Sequence, residues 1–367
     1  MIRLIWTSLV TVVILCGACI AAAQPVIQPD SKSATPAISD SLLLDPPKDD
    51  GPVVVRASFE FHDITTINDA AETFEFTGVL KLTWHDKRQA FDPIAEGVDE
   101  KIYSGDYQFN ELSPSWFPQV ILVNNSGTYE KHGVVLRVQP DGIMTVVEKV
   151  HAAAMTELNL RRFPFDKQRL EAIFEVLGFD DSEVVLQVES ETNGWVANKL
   201  WMPQWIVTGV DISIRDRPAS YTGGQVMKSA MIASVDVQRE SFYVSRLVTL
   251  PLLVIVLLSF SVFWMERSSL GDRISISFIG ILTAVAYQVV MSEILPKIAY
   301  VNWMNAFLNF SFLIMVGTIL INLAVGALEQ QGRSELAHLV DRRCRWIFPL
   351  VYFGLILFLF AVAFLIF

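Results

Sequence analysis

The chain of 367 residues is 52% hydrophobic and has a mean hydropathy of +0.41, which is too apolar for an ordinary soluble protein and too polar for a protein made only of membrane helices. A soluble domain joined to a membrane domain accounts for both facts. The formal net charge is −11, and residues 24–240 alone carry 33 acidic and 19 basic residues. An acidic domain of this kind repels nucleic acid, so we expect no nucleic-acid partner.

Motifs for catalysis, metal binding and cofactor binding are missing from the sequence. It contains no G-x-S-x-G, no H-E-x-x-H and no P-loop, and no cysteines and histidines stand at zinc-ligand spacing. The three cysteines are Cys16, Cys19 and Cys344, so residues 24–240 have no cysteine with which to form a disulfide. We therefore predict that the protein is not an enzyme and needs no metal or cofactor.

The first 51 residues have the character of an export signal followed by a linker. Residues 1–23 place Arg3 before an apolar run and end in an A-x-A cleavage site, Ala21 to Ala23, which predicts a signal peptide. A lipoprotein signal with an acylated Cys19 is the alternative, although Cys16 stands where such signals usually carry leucine. Residues 24–51 are rich in Pro, Ser and Asp, which predicts a flexible arm.

Residues 52–240 carry the pattern of a β domain. Short β-branched and often alternating segments are separated by the turn clusters NNSG, QPDG, GFDDS and YTGG. The segments are VVVRASFEFHDI, FEFTGVLKLTWH, VVLRV, IMTVVEKVHAAA, LEAIFEVLGF, SEVVLQVE, WIVTGVDISI and MIASVDVQ. Many short strands at this spacing predict an all-β, immunoglobulin-like antiparallel sandwich, which the signal peptide would place in the periplasm or outside the cell.

Residues 241–367 predict a four-helix transmembrane domain in the lipid bilayer. Four apolar stretches are long enough to cross it, at about 242–265, 273–295, 303–327 and 346–367. The linker before the last stretch contains Arg333, Arg342, Arg343 and Arg345. An outer β domain and four spans place this basic linker inside, which agrees with the positive-inside rule and indicates a multi-pass membrane protein.

The second span is not evenly apolar, and one stripe at helical spacing predicts a pore lining. The stripe begins beside Asp272, continues through small and aliphatic residues and ends in a carboxylate; its members are Ser275, Ile279, Leu282, Ala286, Val289 and Glu293. Acidic rings beside an apolar constriction are how cation pores are built, whereas a membrane anchor has no need of such an arrangement. A plain anchor with interfacial charges is the alternative.

Three stretches together carry a resemblance to a known family. They are LRRFPFDKQRL at residues 160–170, Arg239 located twelve residues before Pro251, and the pore stripe followed by Leu295-Pro296-Lys297. With an exported sandwich and four spans, the chain resembles the pentameric ligand-gated ion channels, the Cys-loop receptor superfamily. Thr156 and Leu170 replace the two loop cysteines of the animal receptors. The chain is therefore most similar to the bacterial branch, and INDAAETFEF and LTWHDKRQAFDP resemble its proton-gated members.

The resemblance implies a homopentamer that passes monovalent cations. Asp272 and the six stripe residues match the family's pore-facing positions, with Leu282 at the central hydrophobic ring and Asp272 at the inner acidic ring of cation-selective members. Arg273 matches a base that such channels direct away from the pore. Asp69, Asp166 and Arg239 match a charge cluster between the domains, and Phe163, Pro164 and Pro296 belong to the coupling loops beside it.

The stimulus is less well defined by the resemblance. Glu72 matches a proton-sensing carboxylate and lies near Asp69 and Glu75, and a carboxylate near other acids takes up a proton more readily. Ala284 replaces the histidine of the proton-gated pore helix. A small amine held by Phe179 and Tyr221 is the alternative agonist. A non-conducting receptor, made of a periplasmic binding module on a membrane anchor, is the alternative from another class.

Overall fold

The computed structural model describes residues 45–47, 51–104, 115–189, 202, 204–219, 226–265, 270–295 and 298–365. The predicted signal peptide, nearly all of the predicted arm, Tyr221 and Pro296 lie outside these ranges. Ten strands precede four long helices. The strands are β1 Val53–Asn68, β2 Thr73–His85, β3 Lys101–Ser104, β4 Val120–Leu122, β5 Asn125–Val138, β6 Ile143–Met155, β7 Lys167–Val176, β8 Val184–Val188, β9 Trp205–Pro218 and β10 Met227–Arg239.

The strands form the predicted two-sheet sandwich. One sheet has the order β3-β5-β6-β2-β1-β8 and the other has the order β4-β7-β10-β9. Along β2 every second side chain is buried, which is the period of a strand with one face on a core. The ring centroid of Phe59 lies 5.7 Å from that of Phe76 in its own sheet and 5.0 Å from that of Phe174 in the facing sheet. Burial of these aromatic rings joins the two sheets.

Two local features depart from the strand prediction. The NNSG cluster was expected to form a turn, but Asn125 and the two residues after it belong to β5. The pairing of β5 with β6 shifts register between Asn125 and Tyr129, and Gly127 takes a φ of 130°. A bulge places turn-type residues inside a strand, so their composition misleads. The sandwich also contains one parallel pair, residues 53–57 of β1 beside residues 184–188 of β8.

The four helices are each long and apolar enough to cross a membrane. They are α1 Ser241–Phe260, α2 Leu270–Ile294, α3 Trp303–Gln330 and α4 Ser334–Leu365, and a short 3₁₀ turn at Ser261–Trp264 follows α1. The basic linker expected before the fourth span is largely helical, because α4 already begins at Ser334. Gly332, with a φ of 74°, makes the turn between α3 and α4.

Candidate functional site

A buried charge cluster lies where the β-sandwich meets the helices. Arg239 is the last residue of β10, directly before α1. Its Nε donates to Asp166 Oδ1 at 2.9 Å, and its Nη2 donates to Asp69 Oδ1 at 2.8 Å and to Asp166 Oδ2 at 3.2 Å. The three residues predicted to meet at the junction are therefore in direct contact in the structure.

Aromatic rings enclose the same guanidinium. Its Cζ lies 4.0 Å from the ring centroid of Trp205 and 4.7 Å from that of Phe163. Burial opposes the charged form, but the hydrogen bonds that Arg239 donates to Asp69 and Asp166, together with their negative charges, outweigh it and raise the pKa of Arg239 above its ordinary value. The arginine is therefore a permanent cation shared by the turn after β1, the loop after β6 and the end of β10.

The loop between β6 and β7 is fixed on both sides of its FPFD segment. Phe163 and Pro164 are buried, and the bond between them is cis. Gln168 donates to Asp166 Oδ2 at 2.7 Å and to the Asn159 carbonyl at 2.9 Å, which closes the loop across its base. Thr156, at one of the positions where animal relatives have cysteines, donates to the Arg169 carbonyl at 3.2 Å. These hydrogen bonds close the loop at its base.

The same loop rests directly on the helices. The Tyr300 hydroxyl accepts from the Leu160 backbone N–H at 2.9 Å, and the Trp303 N–H donates to the Arg161 carbonyl at 3.2 Å. The Phe165 ring meets the Trp303 ring edge to face at 5.8 Å. Sequence reasoning missed Tyr300 and Trp303, although an aromatic pair just before a predicted span is a signal for an interfacial contact.

The predicted pore stripe lies on one exposed face of α2. Ile279, Leu282 and Val289 are 63%, 71% and 62% exposed. The remaining predicted positions are exposed as well: Asp272, Ser275, Ala286 and Glu293. The buried side chains of α2 lie on the opposite face, at Arg273, Ser277, Ala284 and Met291. An apolar helix with this pattern packs on one side only and leaves the stripe open to another surface.

Arg273 points into the helix bundle, as the resemblance implied. It is fully buried, and its Nη2 donates to Asp341 Oδ1 of α4 at 2.6 Å and to Asn322 Oδ1 of α3 at 3.0 Å. Asn322 in turn donates to Ser277 Oγ at 3.1 Å. Asp341 compensates the buried charge, and Asp272 beside it remains exposed. Sequence reasoning did not identify Asp341 because it lies in the Arg-rich segment taken as a linker.

The predicted stimulus residues are less tightly organised. Glu72 is exposed in the turn between β1 and β2, has a φ of 52°, and accepts the Thr156 N–H at its carbonyl at 2.8 Å. Phe179 is half-buried and meets Trp116 edge to face at 5.9 Å. Hydrogen bonds from Ser182 hold the pKa of the adjacent Asp180 below its usual range, so that this carboxylate stays charged in mild acid.

A cavity of about 220 Å³ lies at the other end of β1 from the charge cluster. Its lining includes Arg56, Thr83, Trp84 and His85, at the start of β1 and the end of β2. Neither Glu72 nor Phe179 lines this cavity, so it is separate from both predicted stimulus positions.

Comparison with known proteins matches both halves of the chain. Residues 41–241 match the family model described as neurotransmitter-gated ion-channel ligand binding domain, and residues 248–335 match the neurotransmitter-gated ion-channel transmembrane region. A proton-gated ion channel of Gloeobacter violaceus is 25% identical over 95% of this chain and 91% of its own length.

Animal relatives are matched over less of their length. The gamma-aminobutyric acid receptor subunit beta-4 of Gallus gallus is 23% identical over 77% of this chain and 58% of that subunit. The pH-sensitive chloride channel 2 of Anopheles gambiae is 23% identical over 69% of this chain and 42% of its own length. Both family models match in the order in which the sandwich and the helices occur, and the chain belongs to the neurotransmitter-gated ion-channel family.

Proposed function

We propose that this chain assembles as a homopentamer into a cation-permeable channel of a bacterial inner membrane, with the sandwich in the periplasm and α2 of each subunit lining the pore. The observation that carries the proposal is the one-sided burial of α2. All seven predicted pore positions are exposed in the isolated subunit, and the helix packs through the opposite face. A shared axial pore is the surface that such a stripe fits.

The proposed cation selectivity rests on the different exposure of two neighbouring charged residues, Asp272 and Arg273. Asp272 is exposed at the start of α2, whereas Arg273 is fully buried and paired with Asp341. In a pentamer the exposed carboxylates form a negative ring, and the arginines contribute no positive ring to the pore. Monovalent cations are therefore the expected permeant ions. This part of the proposal needs its own test, because some relatives are named as chloride channels or gamma-aminobutyric acid receptors.

Leu282 is the proposed gate, and the Arg239 cluster is the proposed coupling device. A ring of leucine side chains is apolar enough to empty of water and stop ions without filling the pore. The Arg239 cluster joins the turn after β1 to the loop that contacts Tyr300 and Trp303. A change in the sandwich therefore has a set of contacts through which to reach the segment between α2 and α3 and the start of α3.

Protons are the proposed stimulus, sensed at Glu72. Glu72 is exposed to the solution, lies in the same turn as Asp69, and its backbone accepts a hydrogen bond from Thr156 at the base of the coupling loop. The proton-gated channel of Gloeobacter violaceus supports this choice. A small amine at Phe179 is the second candidate, favoured by the aromatic pair with Trp116 and by the charged Asp180 beside it.

The test is whole-cell current while external pH is stepped from about 8 to about 4.5, the range in which carboxylates titrate. We expect a reversible inward current in wild type that needs stronger acid in Glu72→Gln. Glu75→Gln is the matched control, because Glu75 lies on β2 near the same turn but opposite Ala153, away from the cluster. Equal effects of the two substitutions would reject Glu72 as the sensor.

Leu282→Ser separates the channel from its stimulus. A hydroxyl in place of the Leu282 side chain keeps water in the ring that these side chains form. This variant should therefore conduct at neutral pH or activate at a higher pH than wild type. Current in Leu282→Ser but none in wild type would reject protons as the stimulus and direct attention to small amines. Silence in both, with the protein shown at the surface, would favour a non-conducting receptor.

A further inference from the structure

The first membrane helix contains a defect in its own hydrogen bonding. Pro251 lies inside α1 and has no backbone N–H, so the carbonyl of Leu247, four residues earlier, lacks its regular intrahelical donor. In a membrane an unpaired carbonyl is costly, because no water is present to take the place of the missing donor. Such a group is expected to find a donor on a neighbouring helix or side chain.

The donor comes from the pore helix. Tyr287 of α2 places its hydroxyl 3.0 Å from the Leu247 carbonyl oxygen and 3.0 Å from the Val248 carbonyl oxygen. A single hydroxyl proton is thus shared between the two carbonyls at the proline site. The tyrosine ring itself is half-buried, so the hydroxyl, rather than deep packing of the ring, makes the specific contact.

This contact is distinctive among the polar side chains of α2. Ser275, Ser277, Thr283 and Ser292 bond carbonyls within their own helix. Arg273 and Gln288 reach α3 or α4. Within the described parts of α1 and α2, Tyr287 makes the side-chain hydrogen bond that joins these two helices.

We propose that Tyr287 is a positioning residue that fixes the pore helix against the proline site of the first helix and thereby sets how easily the channel opens. The inference rests on the proposed function of α2 as the pore lining. Tyr287 lies five residues, about one and a half turns, beyond Leu282 and directly after Ala286. A shift of α2 that widens the ring of Leu282 side chains therefore also moves the tyrosine hydroxyl. Opening therefore has to break the bond or carry the proline site with it.

The alternative is a tyrosine that only fills space between helices. In that case the ring matters, the hydroxyl does not, and Pro251 has no special relation to it. The two explanations differ in a double-mutant cycle. Pro251→Ala restores a backbone N–H for the Leu247 carbonyl, which removes the need for the tyrosine donor.

The experiment compares wild type, Tyr287→Phe, Pro251→Ala and the double variant. Tyr352→Phe is the matched control, because its hydroxyl also lies 3.0 Å from a buried partner, Ser311 Oγ, but links α4 to α3. The first readout is the proton concentration for half-activation. We expect Tyr287→Phe to change it about threefold in the wild-type background, which is within the range for loss of one hydrogen bond, and by less than about 1.5-fold in the Pro251→Ala background.

Tyr352→Phe should leave half-activation within about 1.5-fold, because its bond does not touch the pore helix. A Tyr287→Phe effect of the same size in both backgrounds, or no effect in wild type, would overturn the proposal. If Pro251→Ala does not assemble, the comparison of Tyr287→Phe with Tyr352→Phe decides: an equal shift from the two hydroxyl deletions rejects a special role for Tyr287.

The second readout, the thermal unfolding midpoint of the purified protein, does not need current. Tyr287→Phe should lower the midpoint in wild type and not in the Pro251→Ala background. If every variant, Leu282→Ser included, is silent, the proposed channel function fails. The effect of Tyr287→Phe on the unfolding midpoint, compared with and without Pro251→Ala, still tests the hydrogen bond. An equal effect in both backgrounds would overturn the proposed contact between Tyr287 and the proline site.

Discussion

Two buried arginines, one at the junction of the sandwich with the helices and one inside the helix bundle, are compensated in different ways. Arg239 at the domain junction bonds two carboxylates and faces two aromatic rings. Arg273 inside the bundle bonds one carboxylate and one amide, and its Nε and Nη1 are buried without a hydrogen-bond partner among the described residues. The junction thus offers two carboxylates to one guanidinium, whereas two nitrogens of the Arg273 guanidinium have no acceptor among the described residues.

The difference indicates different roles. At the junction, Asp166 is 1% exposed and holds Arg239 with two bonds, whereas Asp69 is 20% exposed and holds it with one. When the bond between Arg239 and Asp69 breaks, Asp166 still compensates the charge of the arginine. We therefore expect the Asp69 bond to be the one that can break and re-form. Among the described residues of the bundle, Asp341 is the carboxylate bonded to Arg273, and we expect this ion pair to stay fixed.

The largest effect is expected when the ion pair between Arg273 and Asp341 inside the helix bundle is broken. Asp341→Asn leaves the Arg273 charge uncompensated inside the bundle, and we expect a loss of about 3–5 kcal/mol in the free energy of unfolding. The measurement is thermal or denaturant unfolding of the purified protein. Asp272→Asn, which neutralises an exposed carboxylate one residue before Arg273, is the control and should leave stability unchanged within about 0.5 kcal/mol.

Removing both charges of the Arg273–Asp341 pair together tests whether charge compensation is what the pair contributes. The double variant Arg273→Met with Asp341→Leu should regain most of the stability that Asp341→Asn loses, since apolar side chains of similar volume can replace a buried ion pair. A double variant as unstable as the single one would show that the pair is not held together by charge compensation.

An intermediate effect compares the two carboxylates of the junction. Asp166→Asn should cost about 3 kcal/mol of stability, because it weakens two buried hydrogen bonds to a cation. Asp69→Asn should cost about 1 kcal/mol, because it weakens one partly exposed bond. Both can be measured by chemical unfolding. Asp69→Asn should nevertheless shift channel activation at least as far, and a shift confined to Asp166→Asn would contradict the moving role of Asp69.

A further small effect tests the two-pronged hydrogen bonding of Arg239 and its charge. Arg239→Lys keeps a cation but loses the paired geometry toward Asp166, for an expected cost of about 1–2 kcal/mol. The raised pKa of Arg239 means that its contribution is fully present below the unfolded pKa and is lost only as pH rises through the higher folded pKa. The stability difference between the two proteins should therefore be constant from about pH 6 to about pH 9.

Local patterns predicted the architecture, and non-local contacts account for what they missed. Alternation along β2 and the apolar runs of α1 to α3 are properties of neighbouring residues, and both predictions of fold class are confirmed. The short strands Lys101–Ser104 and Val120–Leu122 carry too few residues to show a period. Their pairing with β5 and β7 is what makes them strands.

The candidate site shows the same division. The meeting of Asp69, Asp166 and Arg239 came from a family resemblance and not from any local rule, because 170 residues separate Arg239 from Asp69. Two hydrogen-bond partners were missed because each lies on another helix: Asp341, which bonds Arg273, and Tyr287, which bonds the Leu247 carbonyl. Periodicity tells which face of a helix is polar, but only packing tells which residue faces it.

The most direct measurement of the central claim is the reversal potential of the Leu282→Ser current when external NaCl is diluted tenfold. If α2 lines the pore with Asp272 exposed and Arg273 buried, the potential should move negative by about 59 mV, and Asp272→Asn should reduce that shift. A positive shift, toward anion selectivity, would contradict the account, as would a negative shift that is unchanged in Asp272→Asn.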